Sequence, residues 1–197
     1  MSLKINEEIE RLGRENSLPI LWAFQAPGGR GKVLLKRGKA AEGVGYLRSA
    51  LALWDSAGAK VYSPYAKTIL AEGMAMLGEL DNSLQLIQEQ IDQVERIGWE
   101  EQYYYSESLR IKAWILTLKD DADGAEEAYL SSLDSAREQQ AKSWELRTST
   151  SLARLWQGQG KVKEAHQLLA PVYNWFTEGF GTKDLTDAKA LLEELAA

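Results

Sequence analysis

Four short stretches of this chain align on one another: RGKAAEGVGYL from Arg37, LGELDNSLQLI from Leu77, KDDADGAEEAY from Lys119 and QGKVKEAHQLL from Gln159. Their turn positions are Gly38, Gly78, Asp120 and Gly160, separated by 40, 42 and 40 residues. A small residue follows each turn at the same distance: Gly43, Ser83, Ala125 and Ala165. Large residues then recur in three columns: Leu47, Ile87, Tyr129, Leu169; Leu51, Ile91, Leu133, Tyr173; Trp54, Val94, Ala136, Phe176. Steps of three or four residues put these columns on one stripe of a helix. A long-period repeat of this kind is the strongest constraint a sequence can carry, because each unit must bury its apolar stripe on its neighbours.

A second helix precedes each turn. Its apolar column reads Leu34, Met74, Leu116, Trp156, and three residues earlier stand Gly31, Ala71, Ala113 and Ala153. Small side chains at a fixed place on both helices allow close backbone approach. The unit is helix, turn, helix, which resembles the tetratricopeptide (TPR) layout. TPR units repeat at about 34 residues and HEAT-type units at about 40–47, so on period alone the second remains an alternative. The pattern predicts an all-α, TPR-like right-handed α-solenoid of about ten antiparallel helices. It places a helix at 3–15, then pairs at 18–37 and 40–56, 61–77 and 80–97, 101–118 and 122–139, 143–158 and 161–177. A single domain over 1–197 is expected, with repeats at about 18–57, 60–98, 101–140 and 143–178. The closing segment DLTDAKALLEELAA is amphipathic and suits a capping helix at 184–196. Gly58 and Gly98 fall where helices should stop, and Asn16 or Ser17 before Leu18-Pro19 reads as an N-cap.

The last third also resembles a known group. SLARLWQGQGKVKEAHQLLAPVYNWFTEGF followed by DLTDAKALLEEL is similar to the C-terminal TPR-like region of bacterial adenylate/guanylate cyclase–ATPase fusion proteins of the STAND/AAA type. SPYAKTILAE and SESLRIKAW match more loosely. The resemblance implies a regulatory or protein-binding tail. The catalytic domains of those proteins are absent here, so none of their catalytic residues maps onto this chain.

Composition removes whole classes of chemistry. There is no cysteine, so disulfides, thiolate metal sites and cysteine nucleophiles are excluded, and His166 is the one histidine. A net charge of −6 argues against a dedicated nucleic-acid binder. No apolar run reaches membrane-spanning length and MSLKINEEIE is unlike a signal peptide, so a cytoplasmic chain without membrane contact is expected. Charge is uneven: residues 1–60 carry ten Lys/Arg and six Asp/Glu, net +4. The basic cluster Arg30, Lys32, Lys36, Arg37 and Lys39 reads either as a solvated helix end or as a docking patch for an acidic partner.

Two apparent motifs fail. APGGRGKV at 26–33 imitates a phosphate-binding loop, yet Val33 lacks the magnesium-binding hydroxyl and no strand pattern surrounds it. It is the middle of a first helix, with Gly31 as the small packing residue. Pro27-Gly28-Gly29 within it predicts a kink at about 26–29, with the helix resuming near Arg30. KDDADGAEEAYL imitates a calcium loop, but Lys119 and Leu130 occupy positions that need carboxylates. Tyr103-Tyr104-Tyr105 opens a helix, and successive residues about 100° apart cannot all be buried. Trp54 and Trp156 lie in core columns.

Trp114 does not lie in a core column. In ordinary TPR geometry, counting from the small column, it stands on the face of the first helices that lines a concave groove. That face holds Gln25, Lys32, Tyr65, Thr68 and Glu72 in the first two repeats. In the last two it holds Glu107, Arg110, Trp114 and Thr117, then Arg147, Thr150, Arg154 and Gln157. Candidate binding residues are therefore Lys32, Tyr65, Glu72, Glu107, Arg110, Trp114, Arg147 and Arg154. Arginine clamps carboxylates and tryptophan anchors apolar groups, so the face suits a peptide or protein segment. A plain solvated groove is the alternative, and a small polar ligand regulating a separate signalling ATPase or cyclase is the second functional class. No base–nucleophile pair supports an enzyme. No metal, cofactor or catalytic residue is expected. The N-terminal end lacks an obviously polar cap, which leaves room for a homodimer.

Overall fold

The computed structural model describes residues 2–56, 63–96 and 102–196; Gly58 and Gly98 lie outside the described residues. Among the described residues the elements are ten α-helices and one π-helical segment, with no strand. They are α1 (Leu3–Glu15), the π-helical segment Ile20–Gln25 running into α2 (Ala26–Lys36), α3 (Ala40–Ser56), α4 (Ser63–Met76) and α5 (Leu80–Val94). Then follow α6 (Tyr105–Leu118), α7 (Ala122–Glu138), α8 (Lys142–Gly158), α9 (Val162–Asn174) and α10 (Lys183–Leu195). The chain comprises two compact units, Met1–Glu101 and Gln102–Ala197.

The turn column behaves as its glycines require. Gly38, Gly78 and Gly160 have φ of 75°, 82° and 77°, and Asp120 takes the same left-handed conformation at 61°. Each ends its helix with one pattern of hydrogen bonds. The amide after the turn residue reaches back to Leu34, Met74, Leu116 and Trp156 at 2.9, 3.0, 3.0 and 2.8 Å. The acceptors are the first-helix apolar column, so one local motif sets the turn in every repeat. Asp121 then caps α7, its carboxylate accepting from the Gly124 amide at 3.0 Å. The calcium-loop imitation is thus a helix start.

In the N-terminal unit α2 packs on α3 and α4 on α5. The small column does what small residues permit. A methyl group on Gly31 would lie 2.9 Å from the Gly43 carbonyl oxygen, and one on Gly43 would lie 2.9 Å from that of Gly31. Ser83 in the same column is fully buried and donates to the Ala71 carbonyl at 2.6 Å. Leu47, Leu51, Trp54, Leu70 and Met74 form the core, with Phe24 stacked on Trp54 at 3.7 Å between ring centroids.

The region around Pro27 differs from expectation in two respects. First, residues 26–29 are α-helical, and the irregularity lies upstream, where the Ala26 amide bonds the Leu21 carbonyl. Proline has no amide and its ring crowds the carbonyl four residues back. For Pro27 that residue is Ala23, inside the π-helical turn. The wider turn makes the room, and the proline sits in the first turn of α2 where its missing donor costs little. Second, Asn16 and Ser17 do not cap the following helix. Asn16 ends α1, donating its side-chain amide to the Leu12 carbonyl at 2.8 Å, and Ser17 adopts φ 55°.

The C-terminal unit repeats the arrangement with α6 on α7 and α8 on α9. Ala113, Ala125, Ala153 and Ala165 are all fully buried. α10 lays Leu185, Ala188, Leu191 and Leu195 over Leu146 and Leu169. Of the three consecutive tyrosines, Tyr103 is exposed and Tyr104 buried, with Tyr105 between these extremes.

Candidate functional site

In the C-terminal unit the first-helix face is built from α6 and α8. Three of its charged residues are brought together and turned inward. Glu107 is 5% and Arg110 8% exposed. The Arg110 guanidinium donates to both carboxylate oxygens of Glu107 at 2.8 and 3.0 Å. From α8, Arg147 reaches the same carboxylate at 2.6 Å, lies 3.8 Å from Asp184, and stacks over Trp144 at 5.3 Å. Glu107 thus holds two guanidinium groups, which locks α6 to α8 and commits both arginines.

One turn further along the same face the helices leave a cavity of about 440 Å³. Trp114 and Thr117 of α6, Tyr129 of α7, and Ser151 and Arg154 of α8 line it. Trp114 is half-buried and Arg154 exposed. Arg154 makes no ion pair or hydrogen bond among the described residues. Tyr129 is 2% exposed. Burial pushes its phenol pKa up, against the Arg110 charge and hydrogen bonding with Thr117 and Ser151. The phenol therefore remains protonated at neutral pH, so this wall offers hydroxyl groups, and Asp120 is the carboxylate of the lining. The Thr117 and Ser151 hydroxyls donate to the Ala113 and Arg147 carbonyls at 3.0 Å each. The cavity combines an aromatic plate, a guanidinium that makes no ion pair among the described residues, a hydroxyl-lined wall and the Asp120 carboxylate.

In the N-terminal unit the face holds Lys32 and Tyr65 together. The Lys32 ammonium hydrogen-bonds the Tyr65 hydroxyl and lies 4.9 Å from the ring centroid. Both line a second, largely apolar cavity of about 240 Å³. Glu72 is half-buried on α4, and Thr68 is buried, bonded to the Pro64 carbonyl and to Gln90. The basic cluster is split. Arg30 turns to Tyr46 and Glu10 at 3.4 and 3.5 Å, Lys39 pairs with Glu42, and Lys36 and Arg37 stay exposed. His166 is exposed on α9.

The column count therefore picks out Trp114 and Arg154 at one cavity and Lys32 with Tyr65 at another. It misses Tyr129 and Ser151. A signal for Tyr129 was present: in its column the other three residues are Leu47, Ile87 and Leu169, and it alone carries a polar group. Ser151 sits outside every column and had no such signal.

No family model and no curated protein matches the chain. Solved structures do. BtubC (BKLC) from P. vanneervenii is similar at 14% identity and TM-score 0.71, over 100% of this chain and 90% of that one. A putative kinesin light chain from Podosopora anserina with nearly identical TPR-like repeats is similar at 16% identity and TM-score 0.65, over 87% and 84%. MamA is similar at 15% identity and TM-score 0.50, over 98% and 88%. At such identities a likeness speaks for fold alone, and together with the four repeated turns it establishes an all-α, TPR-like helical-repeat fold.

Proposed function

We propose that the chain is a non-catalytic protein-interaction module that captures a partner segment on the α6–α8 face of its C-terminal unit. One observation carries the reading: Trp114 and the unpartnered Arg154 stand at the same cavity, while Arg110 and Arg147 are consumed by Glu107. The recognised segment would place an acidic side chain on Arg154 and an apolar or aromatic one on Trp114. The similarity of residues 151–180 to cyclase–ATPase tails supports a regulatory role beside a signalling ATPase or cyclase.

A displayed peptide library screened against the full chain tests this. Acidic, aromatic-containing peptides should be enriched, and Arg154→Glu and Trp114→Ala should each lose them with the helical circular dichroism unchanged. Retention of the same peptides by both variants would overturn the reading. A second reading, a small polar ligand in the same cavity, is favoured by its volume, which lies within the roughly 300–1,000 Å³ of small-molecule sites. It predicts thermal stabilisation by a polar metabolite, abolished by Arg154→Glu.

A further inference from the structure

The N-terminal cavity has a different chemistry and stands apart from the reading above. Phe24, Leu47, Ala66 and Ile69 form its apolar lining, and each is less than 10% exposed. Lys32 is the charged side chain in that lining. It is half-buried, and its polar contacts among the described residues are the hydroxyl and ring of Tyr65. No carboxylate lies within ion-pair distance of it among the described residues. Its basic neighbours in this unit are served differently: Arg30, Lys39 and Arg48 meet Glu10, Glu42 and Glu79.

Two backbone features keep the space open. Gly28 and Gly29 form part of its wall, so α2 presents no side chain at those two positions, and a methyl group on Gly28 would meet no atom within 4 Å. The π-helical turn upstream delivers Phe24 onto Trp54. Such turns, rare in helices, recur where a site has to be shaped. An ammonium held at the edge of an apolar cavity without a counterion is completed by an anion with an apolar tail.

We infer that this cavity binds a small aliphatic monocarboxylate, its chain against Phe24, Leu47 and Ile69 and its carboxylate on Lys32. The volume of about 240 Å³ is below the range of drug-sized sites and limits the tail to roughly eight carbons. Calorimetric titration of the full chain with octanoate and with octan-1-ol tests it. Octanoate should bind at one site per chain, at least tenfold more tightly than the alcohol. Lys32→Met, which keeps the apolar stem, should bring octanoate down to the level of the alcohol. Arg154→Glu should leave octanoate binding unchanged, which separates this site from the peptide cavity. Absence of octanoate binding, equal affinity for the two probes, or an undiminished Lys32→Met would each overturn the inference. Should Lys32→Met fail to fold, the acid-to-alcohol ratio of the unmodified chain decides by itself.

Discussion

Gly31 of α2 and Gly43 of α3 face one another so closely that a methyl group on either would lie 2.9 Å from the carbonyl oxygen of the other. The Gly31 methyl would also meet the Leu47 side chain at 2.7 Å, and the Gly43 methyl that of Leu35 at 2.8 Å. Backbone is on one side of each contact, so the helices themselves would have to separate. Gly31→Ala and Gly43→Ala should each destabilise the chain by about 1–3 kcal/mol, although alanine is the better helix former by about 1 kcal/mol. Gly45, on the exposed side of α3 with nothing within 4 Å, is the control. Gly45→Ala should stabilise by a few tenths of a kcal/mol up to about 1 kcal/mol. Urea unfolding midpoints of the three variants check both signs.

Glu107 provides the second prediction. Its buried carboxylate holds Arg110 at 2.8 Å and Arg147 at 2.6 Å. Removing one member of a buried ionic group leaves the others poorly compensated, at a cost of about 3–5 kcal/mol. Glu107→Gln should therefore lower the melting temperature sharply. Replacing Glu107 and Arg110 together with Leu and Met should recover much of the loss, and a double-mutant cycle measures the coupling. The result also bears on binding studies: Arg110→Ala would weaken capture by loosening the unit, whereas Arg154→Glu acts at the surface.

Acid sensitivity follows from Glu145. Burial alone would raise its pKa, but hydrogen bonds from Lys142 and Arg137 outweigh that and hold it below the ordinary carboxylate value. Lys142 lies 2.7 Å and Arg137 3.2 Å from its oxygens. A carboxylate with a depressed folded-state pKa contributes stability above its unfolded value of about 4.3, and that contribution is lost as pH falls through the folded value. Glu145→Gln should thus be less stable than the unmodified chain at neutral pH, with the gap closing below about pH 4. Thermal melts between pH 7 and pH 3 measure the convergence.

Much of the fold was legible because its determinants are local. A left-handed turn residue, a small residue a fixed distance on, and apolar side chains three or four apart act within a few turns of helix. Gly38, Gly78, Asp120 and Gly160 show this best, since four different sequences end in one hydrogen-bonding pattern. The segment around Pro27 was legible only in part. The proline announces a disturbance, but the carbonyl it crowds lies four residues earlier, so the relief falls at 20–25 and not at 26–29. The candidate sites were half legible: Lys32 and Tyr65 share one wall and Trp114 and Arg154 another, while Tyr129 and Ser151 enter through packing.

What the amino-acid sequence determined by itself is the repeat: which residues turn, which are small, and which stripes are buried. These rest on backbone conformation and on periodicity, both of which act along the chain. What the tertiary structure decided is the fate of the charges. Arg147 and Arg154 stand on the same face of α8, and no repeat column tells their surroundings apart. Glu107 of α6, which also holds Arg110 three residues on in its own helix, lies within reach of Arg147 and not of Arg154. Ion pairing depends on which side chains meet across helices, and the same rule left Lys32 facing a tyrosine instead of a carboxylate.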